Sequence, residues 1–216
     1  MPPNTPMTNE SNRLQAAVAR FDAANGEDPH RVTVGGREEG ASVVGARRMT
    51  EWLGHLVPDA SEALRLAVRC HHLCRWQFPR DRYPMTRPGY HHWRTAAARF
   101  HADKAGQILR EVGYDETTVA RVQALVRKEG LKSDPETQVL EDAACLVFLE
   151  NGFAEFAARH DEQKIVGILQ RTWRKMSPAG QAAALGLDLP PGARALIERA
   201  LSPGEAGGAE RPGTGD

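Results

Sequence analysis

Three polar residues fall on helical stripes that are otherwise apolar, and together they could hold a metal ion. Helical spacing places His72, His101 and Asp142 on the inner faces of three separate helices. A buried carboxylate is costly unless it is paired or bound to a metal, and two imidazoles with one carboxylate suit a divalent ion. The spacing predicts a metal site at these residues, with Glu141 as a second ligand or a surface residue. The alternative is a buried His–Asp hydrogen-bond network without a metal.

A second feature is the segment from Arg75 to Arg99, which is rich in arginine and aromatic residues. Guanidinium groups bind phosphate or carboxylate through paired hydrogen bonds, and aromatic rings can stack on a base or on a guanidinium group. This composition predicts an anion-binding segment. The alternative is a long loop that the same arginines hold to the fold. The predicted substrate-binding residues are Arg75, Arg80, Arg87, Arg94 and, near a helix end, Lys128.

The chain has three cysteines, and two of them lie close to histidines. Cys70 and Cys74 flank His71 and His72, an arrangement that could bind zinc. The alternative is a pair of buried thiols. No second Cys/His pair follows at zinc-finger spacing, which favours the thiols. An odd number of cysteines without a secretory signal also predicts a reducing compartment.

The elements that must position these residues are predicted to be helices. Apolar residues recur at helical spacing along most of the chain, and Asp115 and Ser177 have the character of N-caps. Val32 and Val34 alternate over a stretch that is too short to predict a sheet. The expected fold is therefore all-α, a single compact bundle of about seven or eight helices.

The ends of the chain differ in composition from its middle. Residues 1–10 are polar, and residues 203–216 are rich in glycine, proline and glutamate. Segments of this kind bury too little apolar surface to fold by themselves. We predict disorder in both, and one helical domain over residues 11–202.

Charge and hydropathy narrow the class of partner. The chain carries 28 basic and 28 acidic residues, and this balance argues against a general nucleic-acid coat. No apolar run is long enough to span a bilayer, and the N-terminus has no apolar signal region. We expect a cytoplasmic protein with no membrane partner. An anionic small molecule or nucleotide is the favoured ligand, and nucleic acid is a less favoured one.

Several long motifs resemble a single family. They are RCHHLCRWQFPR at residues 69–80, LEDAACLVFLE at residues 140–150 and WRKMS at residues 173–177. The family they resemble is domain of unknown function 4202, and the resemblance covers roughly residues 12–187. The resemblance implies that this chain shares the fold of the family. It implies no particular reaction.

The chain is also weakly similar to the HD superfamily of metal-dependent phosphohydrolases, which are all-helical. In that comparison His72 stands at the histidine of the His-Asp pair, Asp142 at the final aspartate, and His101 at an additional histidine of some members. Leu73 stands where the paired aspartate belongs. The helix in which the first ligand is expected has no histidine, and His55 lies nearest.

The HD resemblance implies a degenerate metal-binding protein that acts on a phosphorylated small molecule or nucleotide. A bound divalent ion would lower the pKa of a water molecule, and the Arg80–Arg94 loop would hold the phosphate. The alternative is a non-catalytic module that recognises RNA or a protein partner through residues 75–99.

Overall fold

The structure, a computed structural model, describes residues 9–202, with side chains from residue 12 onward. It divides into two compact units, with the division between Val147 and Phe148. The predicted disorder lies outside the described residues, except that residues 9 and 10 begin the first helix. A single domain over residues 11–202 stays a prediction.

The all-α fold class is confirmed. The first unit begins with helix α1 (Asn9–Gly26), a hairpin of β1 (Arg31–Val34) and β2 (Arg37–Gly40), and helix α2 (Ala41–Leu56). It continues with α3 (Glu62–Cys70), α4 (Arg87–Val112), α5 (Glu116–Arg127) and α6 (Pro135–Asn151), which runs past the division. Two short 3-10 turns, Arg75–Gln77 and Arg80–Arg82, connect α3 with α4.

The hairpin corrects the expectation that the stretch with Val32 and Val34 is too short for a sheet. Val32 pairs with Glu39 in an antiparallel register. The turn residues Gly35 and Gly36 have positive φ angles of 56° and 78°. A two-residue turn with both residues left-handed matches the twist of the strands that it joins. The adjacent glycines were the sequence signal for this hairpin. The prediction considered only the length of the alternating stretch and therefore missed the hairpin.

The core of the first unit brings together the helices that later form the site. Helix α4 packs along α5, and α3 packs against α5 and α2. Gly106 on α4 faces Gln123 on α5, and an added Cβ would lie 2.5 Å from the Gln123 amide nitrogen. That amide donates to the carbonyl of Ala102 at 3.1 Å. Fully buried Leu66, Leu109 and Leu125 fill the space between the helices.

After the end of α6, the second unit contains four helices within its described residues: α7 (Phe153–Ala158), α8 (Glu162–Lys175), α9 (Pro178–Leu185) and α10 (Pro191–Leu201). Helices α8 and α10 pack together. Ser177 caps α9 as predicted, accepting from the N–H of Gly180 at 3.1 Å. The short α7 and the terminal α10 were not predicted, because neither has a long apolar stripe. Within residues 9–202, no helix combines the length and apolarity needed to cross a membrane.

Candidate functional site

A cleft of about 530 Å³ lies in the first unit, lined by the chain after α3, the first half of α4 and the end of α5. In this part of the structure, five cationic side chains and one carboxylate line the cleft. Its charged and imidazole residues are Arg75, Arg94, Arg99, Arg127, Lys128, Glu129, His71, His72, His91 and His101. Arg127 and Glu129 form an ion pair at 2.6 Å. The remaining cations make the cleft electropositive in a chain of balanced charge.

The end of α3 decides which histidine is buried. Helix α3 stops at Cys70, and the chain turns to Cys74, whose backbone is left-handed with φ of 54°. The helical stripe that passes through Val68 therefore does not continue to His72. His72 is exposed in the cleft, which corrects its predicted core position, and the adjacent His71 is 5% exposed. Helical spacing alone allowed either His71 or His72 on this stripe, and extending the helix past its end selected His72 as the site residue.

Three imidazole rings cluster at this wall of the cleft. The ring centroids of His71 and His72 are 4.2 Å apart, and those of His72 and His101 are 5.8 Å apart. His101 is 3% exposed, as the stripe on α4 predicted. Its Nδ1 lies 2.7 Å from the carbonyl oxygen of Leu73, so Nδ1 carries the proton and donates it. The Nε2 atom of His101 therefore keeps its lone pair.

Burial keeps His71 and His101 neutral. Loss of hydration lowers the pKa of His101 to about 4, although the hydrogen bond to Leu73 partly opposes it. Burial lowers the pKa of His71 well below its ordinary value, and the charge of Lys128 acts in the same direction. The walls of the cleft lower the pKa of His72 in the same way, with His71 as the next cause.

His71 has a further property that concerns its ring nitrogens. Neither Nδ1 nor Nε2 has a hydrogen-bond partner among the described residues, and both atoms are buried. A buried polar atom without a partner costs roughly 1–3 kcal/mol. Uncompensated polar atoms of this kind are uncommon in folded proteins and often belong to functional sites.

Lys128, which also lines the cleft, forms an ion pair with Glu141 on α6. The Glu141 side chain is 4% exposed, and its second oxygen lies 4.0 Å from the guanidinium of Arg94. One buried carboxylate thus sits behind two cations that line the cleft. Lys128 is the residue after α5 and has a left-handed backbone with φ of 58°. Lysine is costly in this conformation, which glycine adopts readily.

The predicted metal ligands are only partly brought together. His72 and His101 share the cleft wall, whereas Asp142 is buried and accepts from the amide of Gln138 at 3.0 Å. Within residues 12–202, no three histidine, cysteine or acidic side chains are grouped so that they could hold a metal ion. The metal site at His72, His101 and Asp142 stays a prediction.

The predicted anion-binding residues divide into two groups. Arg75, Arg94 and Lys128 line the cleft. Arg80 instead donates to the carbonyls of Tyr83 at 2.8 Å and Pro84 at 2.7 Å. Arg87 is exposed in the first turn of α4. The contacts of Arg80 match the alternative interpretation, in which arginines hold the loop to the fold. For Arg75, Arg94 and Lys128, anion binding stays a prediction.

Cys70 and Cys74 are buried free thiols. Cys70 and Cys74 point their sulfur atoms at the carbonyls of Ala67 and Ala24, at 3.7 and 3.8 Å. Burial raises the pKa of both thiols, which keeps them protonated and poorly suited to bind zinc. This geometry matches the interpretation as buried thiols.

A comparison with protein families agrees with the long motifs. The model of the family described as Domain of unknown function (DUF4202) matches residues 15–197. The chain belongs to this family. No curated protein and no solved structure matches the chain. For this DUF4202 protein, function must therefore be argued from the cleft itself.

Proposed function

We propose that the cleft binds a phosphorylated small molecule or nucleotide. The observation that carries the proposal is the convergence of Lys128 and Arg94, backed by buried Glu141, on a cleft that Arg75 and Arg99 also line. Phosphate oxygens accept hydrogen bonds from guanidinium and ammonium groups, and these bonds are strong where water is partly excluded.

The shape of the cleft favours a small ligand over RNA or a protein surface. A volume of about 530 Å³ lies within the range of small-molecule sites, which is roughly 300–1,000 Å³. Tyr90 lines the cleft and is 45% exposed, and its aromatic ring is a group on which a nucleobase could stack. RNA recognition would instead use an extended groove with several such rings.

Thermal unfolding of the full chain with adenosine monophosphate or inorganic phosphate tests the proposal. A ligand at roughly one hundred times its Kd stabilises the folded state by about 2.7 kcal/mol. For a protein of this size, that gain raises Tm by roughly 5–10 °C. Lys128→Met and Arg94→Met should each remove most of the gain.

Arg87→Met is the matched control, because Arg87 is exposed at the start of α4 and lies outside the lining of the cleft. It should keep the full gain with either ligand. A gain that survives in both cleft variants would place the anion elsewhere. A preference for an RNA oligomer over both small ligands would favour the alternative of an RNA-binding module.

A second candidate function is metal-dependent hydrolysis of the bound phosphate compound. His101 favours it, because a metal-binding histidine typically donates its other ring N–H to a carbonyl, as Nδ1 of His101 does to Leu73. His72, with its ring 5.8 Å away, would supply the second ligand. Such an ion would activate a water molecule for attack on phosphorus.

Metal analysis of the purified protein separates the two candidates. If the protein is a metal-dependent hydrolase, it should contain a stoichiometric divalent ion, and His101→Ala should release that ion. Asp142→Asn keeps the shape of the side chain and removes its charge, so it also weakens metal binding if Asp142 is a ligand. A protein that binds phosphate with full affinity after treatment with a chelator supports simple anion binding.

A further inference from the structure

Arg75 differs from the other arginines that line the cleft in the way that it is held. Its guanidinium carbon lies 5.4 Å from the centroid of the Trp93 ring. The Trp93 ring is itself fixed, because it is 8% exposed and its indole N–H donates to the carbonyl of Phe78 at 3.1 Å. A cation–π contact leaves most of the five N–H groups of a guanidinium without an acceptor. Arg75 is therefore held in place while its hydrogen-bond donors stay available to a ligand.

Carboxylates balance only part of the positive charge in the cleft. One carboxylate, that of Glu141, lies behind Lys128 and Arg94, and a second pairs with Arg127. Within residues 12–202, Arg75 has no carboxylate partner. Five cations and two carboxylates leave a net charge of +3, without counting the histidines. This charge persists at neutral pH and is available to an anionic ligand.

The cleft is also long in one direction. Helix α4 lines it from Tyr90 to His101, a stretch that spans about 16 Å along the helix axis. A phosphate monoester carries about two negative charges, and a further linked phosphoryl group adds about one. The length and the net charge of the cleft therefore fit an extended ligand with about three negative charges better than a single phosphate group.

We infer that the cleft takes a ligand with two linked phosphoryl groups, of the nucleoside diphosphate class, and that Arg75 binds one of these groups. The inference rests on the proposed function and names its class of ligand. Lys128 and Arg94 bind the other phosphoryl group. The Tyr90 ring lies 5.9 Å, centroid to centroid, from the Trp93 ring that supports Arg75, and it provides the surface for the nucleobase.

Inorganic pyrophosphate and inorganic phosphate isolate the contribution of the second phosphoryl group. The experiment is calorimetric titration of the full chain with the two sodium salts at pH 7, at matched ionic strength and without divalent ions. The wild-type chain should bind pyrophosphate about tenfold or more tightly, because the second group makes charge-assisted hydrogen bonds. Citrate, a trianion without phosphorus, should bind more weakly than pyrophosphate. Equal affinity for citrate would show that the cleft responds to charge alone and would overturn the inference.

Replacement of Arg75 tests its role. Arg75→Met should remove most of the preference for pyrophosphate and leave the affinity for phosphate close to that of the wild-type chain, because Lys128 and Arg94 remain. Arg75→Lys keeps the charge but loses the planar fork, so it should retain part of the preference. Arg87→Met is the control, since it removes one positive charge outside the cleft and should keep the full preference. A full preference in Arg75→Met would overturn the inference.

Adenosine diphosphate separates a nucleotide from a free diphosphate. It should bind at least as tightly as pyrophosphate. Tyr90→Leu should weaken its binding by about fivefold or more, because base stacking is lost, and should leave the affinity for pyrophosphate unchanged. If adenosine diphosphate binds more weakly than pyrophosphate, a nucleoside does not fit the cleft, and the inferred class of ligand is wrong.

The remaining outcomes separate this inference from the proposed function. If pyrophosphate binds no more tightly than phosphate and Lys128→Met abolishes the binding of both, the anion cleft stands and the second phosphoryl site is rejected. If neither anion and neither adenosine nucleotide binds, the proposed function fails and the inference fails with it.

Discussion

Lys128 forms its ion pair with Glu141 from a left-handed backbone position at the end of α5. The Lys128 side chain is 18% exposed and that of Glu141 is 4% exposed, so the pair is largely removed from water. A left-handed conformation costs a non-glycine residue roughly 1–2 kcal/mol. This cost arises at a position from which the Lys128 side chain reaches both Glu141 and the cleft.

Replacement of Lys128 separates the stabilisation from the ion pair with Glu141 from the cost of the left-handed backbone. Lys128→Met should lower the free energy of unfolding by about 3 kcal/mol, because Glu141 stays buried without this counterion. Lys128→Gly should lower it by about 1 kcal/mol less, because glycine relieves the backbone. Urea unfolding of both variants measures the difference.

Lys132 provides the control, since it also has a positive φ, of 79°, but its side chain is exposed. Lys132→Gly should be neutral or stabilise the fold by up to about 1 kcal/mol. Equal losses in the Gly variants of Lys128 and Lys132 would mean that the ion pair contributes nothing to stability.

The pH dependence of stability should depend on Asp134, which precedes α6. Its pKa is lowered from 3.8 to about 2, chiefly by hydrogen bonds from Arg121, one of which is 3.0 Å long. The folded chain therefore holds this proton less tightly than the unfolded chain. The stabilisation is complete well above pH 4 and is lost as the pH falls from roughly 5 towards 2.

Asp134→Asn isolates this charge, because asparagine also caps helices well. The variant should lose about 1–2 kcal/mol at pH 7 and roughly half of that at pH 3, as measured by urea unfolding at both values. In an Arg121→Met background the pH 7 loss should shrink. A loss that is the same at both pH values would assign the effect to the cap and not to the charge.

Much of the fold was predictable because local signals agreed with it. The cap at Asp115 accepts from the N–H of Thr118 at 2.9 Å, and α4 ends at Gly113 with φ of 90°, as helix-end rules indicate. Apolar spacing also placed His101 and Asp142 correctly in the interior. These features depend on residues within a few positions of each other.

The cleft was only partly predictable, since it depends on where elements stop and which elements meet. Spacing predicted His72 as the buried histidine. His71 is buried instead, because helix α3 ends at Cys70. Composition grouped Arg80 with Arg94, yet one holds the loop and the other lines the cleft. Separating them required the positions of distant carbonyls and carboxylates, which sequence spacing does not contain.

Gly89 should be intolerant of any side chain. An added Cβ would lie 2.1 Å from the carbonyl oxygen of Pro84, which accepts from Arg80 at 2.7 Å. Gly89→Ala should therefore displace this carbonyl and lower the free energy of unfolding by about 2 kcal/mol. Gly45 in α2 is the matched control, because an added Cβ there meets no atom within 4 Å. Gly45→Ala should stabilise the fold by about 0.5–1 kcal/mol, and a similar loss in both would contradict the steric argument.

Arg80 should act on the loop and not on the ligand. Its guanidinium donates to two loop carbonyls, those of Tyr83 and Pro84, so Arg80→Met should cost about 1–2 kcal/mol. The loop should also become more accessible, which faster amide exchange in residues 79–86 would report. The rise in Tm with phosphate should persist, because Lys128 and Arg94 remain in place.

Arg82→Met is the control for Arg80→Met, since Arg82 is an exposed arginine in the same turn. It should leave both the amide exchange and the response to phosphate close to those of the wild-type chain. The opposite pattern for Arg80→Met, an unchanged Tm with a lost phosphate response, would make Arg80 a ligand-binding residue. It would then extend the anion site from the cleft into the loop, because the cations at Lys128 and Arg94 alone would no longer account for binding.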